Sequence, residues 1–124
     1  SAASDVYKRQ VNPNYPEKHD PDTRPVMGAG PVLKLNASQR YATDAQGWHI
    51  WEDAAGRCGV KTQCFVSNNA VTCGSTIAPM TATRLGITTI DVGVPILSMH
   101  AAREICALGD QVEMAKIMQS YLQK

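Results

Sequence analysis

The chain has 124 residues, with 12 Lys and Arg against 11 Asp and Glu, a formal net charge of +1, and both signs mixed along its length. That balance argues against a nucleic-acid-binding arm or an acidic tail, and no apolar run approaches the roughly 20 residues that cross a bilayer. The start carries no apolar signal region, so neither nucleic acid nor membrane is expected as a partner, and the length suits one domain or a piece of one.

Residues 1–10, SAASDVYKRQ, hold isolated apolar positions without a period. The string is similar to a recurrent translated artefact of cloning or sequence assembly, and it is set aside as a suspected non-native segment. Residues 11–31 read as loop, because Pro13, Pro16, Pro21, Pro25 and Pro31 remove backbone donors and fix φ. Val32–Leu35 is predicted as a short strand. Thr43 or Asp44 is placed to cap a helix to about Arg57, stopped by Gly59, with Trp48, Trp51, Ala55 and Cys58 at helical spacing. Residues 60–66 are predicted as a second strand, with Val60, Thr62, Cys64 and Val66 on one face.

A polar turn over 68–74 follows. Ser75 is expected to cap a helix over 76–85, with Pro79 in its first turn and Gly86 at its end. Residues 87–92 are predicted as a third strand. Ser98 is then expected to cap a helix through about Ala107, Gly109 to break it, and Asp110 to cap a last helix to about residue 122. That helix would place Val112, Ala115, Met118 and Leu122 on one stripe. The alternation predicts an α/β fold, a mainly parallel or mixed sheet with helices on its faces. Three strands leave two open edges, and open edges seek partners, so 11–124 reads as part of a larger sheet. Cys58, Cys64, Cys73 and Cys106 show neither C-x-x-C spacing nor ligand pairs two to four residues apart. They are expected as small buried thiols in a reducing cytoplasm.

Four runs carry a family resemblance: VNPNYPEKHDP at 11–21, GPVLKLNASQRYATD at 30–44, CGSTIAPMTATRLGI at 73–87 and DVGVPILSMHAARE at 91–104. Taken together and in this order, they resemble the C-terminal part of the aspartyl aminopeptidase family, cytosolic exopeptidases that remove N-terminal Asp or Glu from peptides. The resemblance implies a three-layer α/β/α zinc-exopeptidase-like domain. It also implies two zinc ions per subunit and a symmetric homo-oligomer, typically a dodecamer.

Two-metal hydrolysis needs His ligands, a bridging carboxylate and a separate general base. In the family the first His, the bridging Asp and a Glu-Glu pair lie upstream of the matching region, so no catalytic residue is assigned in this chain. The fragment alone is expected to be inactive. The family's S-A-D-x-x-H-A run would fall on residues 4–10, where Val6 and Arg9 stand at its Asp and His positions and Asp5 is one residue out of register.

What the resemblance does assign is His100, at the position of the last zinc-binding His. On residue chemistry alone, a helix-start His bonded to backbone reads as well. Lys34 and Tyr41 match substrate-contacting positions. Lys34 suits an acidic side chain, against a solvated strand Lys, and its neighbours Val32, Leu33 and Leu35 make a charge there costly unless it faces a cleft. Tyr41 could donate to a substrate oxygen or to a buried backbone partner. Gly74, Ser75 and Thr76 would form a helix start suited to an anion or to ordinary capping, and Ala70 stands where the family commonly has Asp. His19 and His49 carry no role beyond loop and surface. Two other functions fit the same sequence: a catalytically dead scaffold or binding subunit of the same fold, and an unrelated small α/β binding domain.

Overall fold

A computed structural model describes residues 23–36, 41–67, 77–99 and 101–123. The expectations for residues 1–22, for the turn over 68–74 and for the Ser75 cap fall outside these residues. In chain order the elements are β1 (Val32–Leu35), α1 (Ala45–Cys58), β2 (Gln63–Val66), α2 (Ala78–Leu85), β3 (Val92–Gly93), β4 (Ile96–Leu97), β5 (Ile105–Cys106) and α3 (Leu108–Leu122).

The three predicted strand segments do meet in one sheet, of order β2-β1-β3. β1 runs parallel to β2 with Leu33 beside Cys64 and Lys34 beside Phe65, and antiparallel to β3 with Leu33 beside Val92. The sheet is therefore mixed, and β1 is its central strand. Because side chains alternate across a strand, Leu33 and Lys34 point to opposite faces.

The helical layer covers the Leu33 face. Leu33, Trp51, Ala54, Ala55 and Ile117 form a buried cluster, with Leu35, Cys58, Val60, Ile90, Val92 and Met114 packed against it. α1 begins as its capping signal demands: the Asp44 side chain accepts from the Gly47 N–H at 2.7 Å, and Gly59 ends the helix at φ 69°, ψ 24° with its N–H returned to Ala55 and Gly56. Gly47 is required at its position, since a Cβ there would run into Ile90. Segment 87–90 crosses close over the start of α1.

Several sequence expectations change. β2 starts at Gln63 rather than at residue 60, because the Val60 N–H bonds back to the Ala55 carbonyl at 3.0 Å and belongs to the helix end. The third strand shrinks to Val92–Gly93, since Ile90 is drawn onto the helical layer instead of pairing in the sheet. α2 starts at Ala78, with Pro79 in its first turn and Gly86 closing it at φ 63°. Trp48 is exposed, while Trp51 carries the core contact.

The helix expected over 98–107 does not form. Ser98 takes φ 54°, outside the helical region, and the Ala101 N–H closes a turn onto the Ser98 carbonyl at 2.9 Å. Ile105–Cys106 then pairs antiparallel with Ile96–Leu97. The strand pairing uses backbone groups of Ile105–Cys106 that a helix would have used within itself. Gly109 does not break a helix but lies inside α3, and Asp110 is not its cap. The inward stripe of α3 is set by Asp110 and Ile117 with Met114. The expected stripe of Val112, Met118 and Leu122 is exposed, at 48%, 48% and 77%.

Truncation at the two kinds of apolar site should separate cleanly. Leu33→Ala should lower unfolding free energy by about 2–5 kcal/mol, the cost of a cavity in a packed core. Val112→Ala should stay within about 0.5 kcal/mol. Urea unfolding followed by circular dichroism checks both, and equal losses would show that α3 is turned differently. A second outcome concerns Cys64, whose thiol titrates above its ordinary range because of burial and, secondarily, the nearby Glu52 carboxylate. Only the thiolate alkylates, so Cys64 should react slowly with iodoacetamide at about pH 8 and faster towards about pH 10. Glu52→Gln should speed the reaction. Because the raised folded value holds the proton, the associated stability is present below the ordinary thiol range and is lost as pH rises through the folded value.

Candidate functional site

The face of the sheet away from α1 and α3 is where Lys34 lies. Val32, Tyr41 and Phe65 form a second buried cluster there, and Lys34 itself is fully buried, at 0% exposure. Its ammonium Nζ sits 5.3 Å from the centroid of the Tyr41 ring. A cation over an aromatic face is attracted by the ring quadrupole, and more strongly once desolvated. Tyr41 is likewise buried. Two residues matched to substrate contacts by the family resemblance are thus brought together.

Asp91 fixes this pairing. It is a buried carboxylate just before β3. Its carbonyl accepts from the Lys34 N–H at 2.8 Å, its Oδ2 accepts from the Ala42 N–H at 3.0 Å, and its own N–H donates to Thr43 Oγ1 at 3.0 Å. One residue therefore grips β1 at Lys34 and the segment that follows Tyr41. Thr43, one of the two expected caps of α1, is used here instead, and Asp44 takes the cap. Sequence reasoning did not single out Asp91. The available signal was an acidic residue immediately before a strand in the DVGVP run.

His100 falls between β4 and β5 in sequence, and the helix expected over 98–107, whose first turn was to carry it, does not form. Its own placement is outside the described residues, as is that of Gly74, Ser75 and Thr76, and the expected grouping of His100 with Lys34 and Tyr41 rests on residues not described. His49 is exposed on α1, as expected. Among the described residues no group of three or more His, Cys, Asp and Glu stands close enough to hold a metal ion. The donor set on these residues therefore does not fit zinc by itself. Cys58, Cys64 and Cys106 are free thiols, and no described helix is long and apolar enough to cross a membrane.

A family model described as aminopeptidase I zinc metalloprotease (M18) matches residues 2–122. A probable M18 family aminopeptidase 2 of Streptomyces avermitilis is 50% identical over 113 residues, which are 91% of this chain and 26% of that protein. The chain thus spans about a quarter of the length of that curated relative. Among solved structures, the cryo-EM structure of the Ape4 and Nbr1 complex aligns with a TM-score of 0.86 at 37% identity, covering 92% of this chain and 22% of that one. The yeast mApe1 dodecamer aligns with a TM-score of 0.75 at 33% identity, covering 90% and 24%.

The Asp91 grip has a measurable cost when broken. Asp91→Ala leaves the Ala42 N–H without its carboxylate acceptor, and an orphaned donor costs about 1–3 kcal/mol. Urea unfolding should show a loss of that size, whereas Asp53→Ala, at a half-exposed i,i+4 pair with Arg57, should change stability by about 0.5 kcal/mol or less. Equal effects would mean that Asp91 does not hold the two segments together.

Proposed function

Because the chain belongs to the aminopeptidase I zinc metalloprotease family (M18), we propose that it is the C-terminal section of a cytoplasmic zinc aminopeptidase that removes N-terminal Asp or Glu from peptides. The observation that carries the specificity is the buried Lys34 ammonium on the sheet face beside Tyr41. A solvated surface lysine would have no reason to lie at 0% exposure between Leu33 and Leu35 on a central strand. Removing an ammonium from water costs several kcal/mol unless charge or dipoles compensate it. An ammonium pairs well with a carboxylate, and we assign Lys34 to the acidic side chain of a substrate's first residue.

In the intact subunit Lys34 would hold the acidic side chain. Tyr41 would fix the ammonium's position and lend its hydroxyl to the substrate. His100 would contribute one ligand to a site of two zinc ions. The remaining ligands and the general base would come from sequence outside this chain. The yeast mApe1 structure is a dodecamer, and we extend a homo-oligomer of that kind to the intact protein.

Steady-state hydrolysis of aspartyl and glutamyl 4-nitroanilides by the intact protein with zinc tests this reading. Lys34→Ala should raise KM for both by about tenfold, as loss of one charged contact implies. The 124-residue chain should show no chelator-sensitive turnover, because each zinc needs about four ligands and a missing general base alone costs about 10²–10⁴-fold. Intact protein that binds zinc and assembles but hydrolyses nothing would favour a scaffold subunit of the same fold. A leucyl substrate turned over as well as an aspartyl one would remove the acidic specificity.

A further inference from the structure

β1 has apolar residues on both faces: Val32 lies on the Lys34 side, and Leu33 and Leu35 on the helical side. Hydrophobic pattern therefore specifies its register weakly. A slip of one residue would exchange Leu33 with Lys34 and drive the ammonium among Trp51, Ala54 and Ile117. The partners of β1 are short, a four-residue β2 and a two-residue β3, so pairing alone is a modest restraint.

The restraint comes from the segment that feeds the strand. Asp110, in the first turn of α3, is almost completely buried. Its Oδ2 accepts from the Gly28 N–H at 2.8 Å and its Oδ1 from the Gly30 N–H at 3.0 Å, across 82 and 80 residues of sequence. From the other side, the half-buried Gln63 of β2 clasps the same segment. Its Oε1 accepts from the Val26 N–H at 2.8 Å, and its Nε2 donates to the Val26 carbonyl at 3.0 Å and the Gly30 carbonyl at 2.7 Å. Gly30 sits at φ 101° with the Lys61 carbonyl where a Cβ would be, so no other residue fits that contact. The buried Pro31 then fixes φ at the entry to the strand.

We propose that Asp110, together with Gln63, is a positioning residue for substrate selection: the two lock residues 26–31, and through Pro31 set the register that places Lys34 on the substrate face. This rests on the reading of Lys34 as the acidic-substrate contact. Neither side chain touches the substrate. Both act through the strand they hold.

The test uses the intact enzyme with zinc, aspartyl 4-nitroanilide as substrate and leucine amide as a neutral competitive inhibitor. Asp110→Asn keeps the size of the side chain but turns one acceptor into a donor facing an N–H. It should raise KM for the aspartyl substrate by about tenfold, leave kcat within about threefold, and leave the leucine amide inhibition constant unchanged. Lys34→Ala should do the same, and the double variant should lose no more than Lys34→Ala alone, because both remove one interaction. Gln63→Leu should act in the same direction, by about threefold or more, and it carries the test if Asp110→Asn fails to fold by circular dichroism. Equal weakening of substrate and neutral inhibitor, or fully additive losses in the double variant, overturns the positioning role. If Lys34→Ala raises KM while Asp110→Asn and Gln63→Leu do not, only the positioning role falls. If Lys34→Ala itself leaves KM unchanged, the substrate reading falls and takes the positioning role with it.

Discussion

An ammonium buried in the middle of a central strand sets the terms for everything around it. Lys34 has lost its water, and the effective penalty for a desolvated ion is several kcal/mol. The strand can hold it only if its surroundings are fixed closely enough for dipoles and an aromatic face to stay in place. Tyr41 supplies the ring. Asp91 ties the Lys34 main chain to the segment after Tyr41. On the opposite face Leu33 is closed over by Trp51, Ala54, Ala55 and Ile117, which roots the strand in the core.

Two buried carboxylates, Asp91 and Asp110, share one structural device. Asp110 accepts from two backbone N–H groups of an irregular segment and Asp91 from one. Charge-assisted bonds of this kind are stronger than neutral ones, and they reach across distances in sequence that short strands cannot cover. The sheet itself is small, with strands of four, four and two residues, so these side-chain-to-loop bonds add the ties between β1 and its flanking segments that strand pairing does not supply. A site on loops becomes precise when the loops are tied to regular elements.

The outward surface fits a piece of a larger body. Leu108, Val112, Met118 and Leu122 of α3 and Ile77, Met80 and Leu85 around α2 are all about half exposed or more. Apolar surface of that extent marks contact with further protein. It accords with a match that covers about a quarter of the related proteins and supports the proposal that this chain is one section of an oligomeric aminopeptidase.

The sequence by itself determined what depends on neighbours within a turn or a strand. The span of β1 follows from a four-residue apolar run after Pro31. The ends of α1 follow from Asp44 and Gly59, and the end of α2 from Gly86, because caps act over three or four residues. The mixed sheet was legible from the alternation of elements; Lys34 and Tyr41 were singled out by motif, and their adjacency came from the fold. What lay beyond local reach was decided by tertiary structure. Segment 98–107 has a helix-like start in Ser98, yet Ile105–Cys106 pairs with Ile96–Leu97 instead. Asp110 looked like a cap, but two N–H groups 82 and 80 residues away claim its oxygens. The inward stripe of α3 turned to Ile117 and Met114, because helical spacing offers more than one apolar face and only the partner surface selects between them.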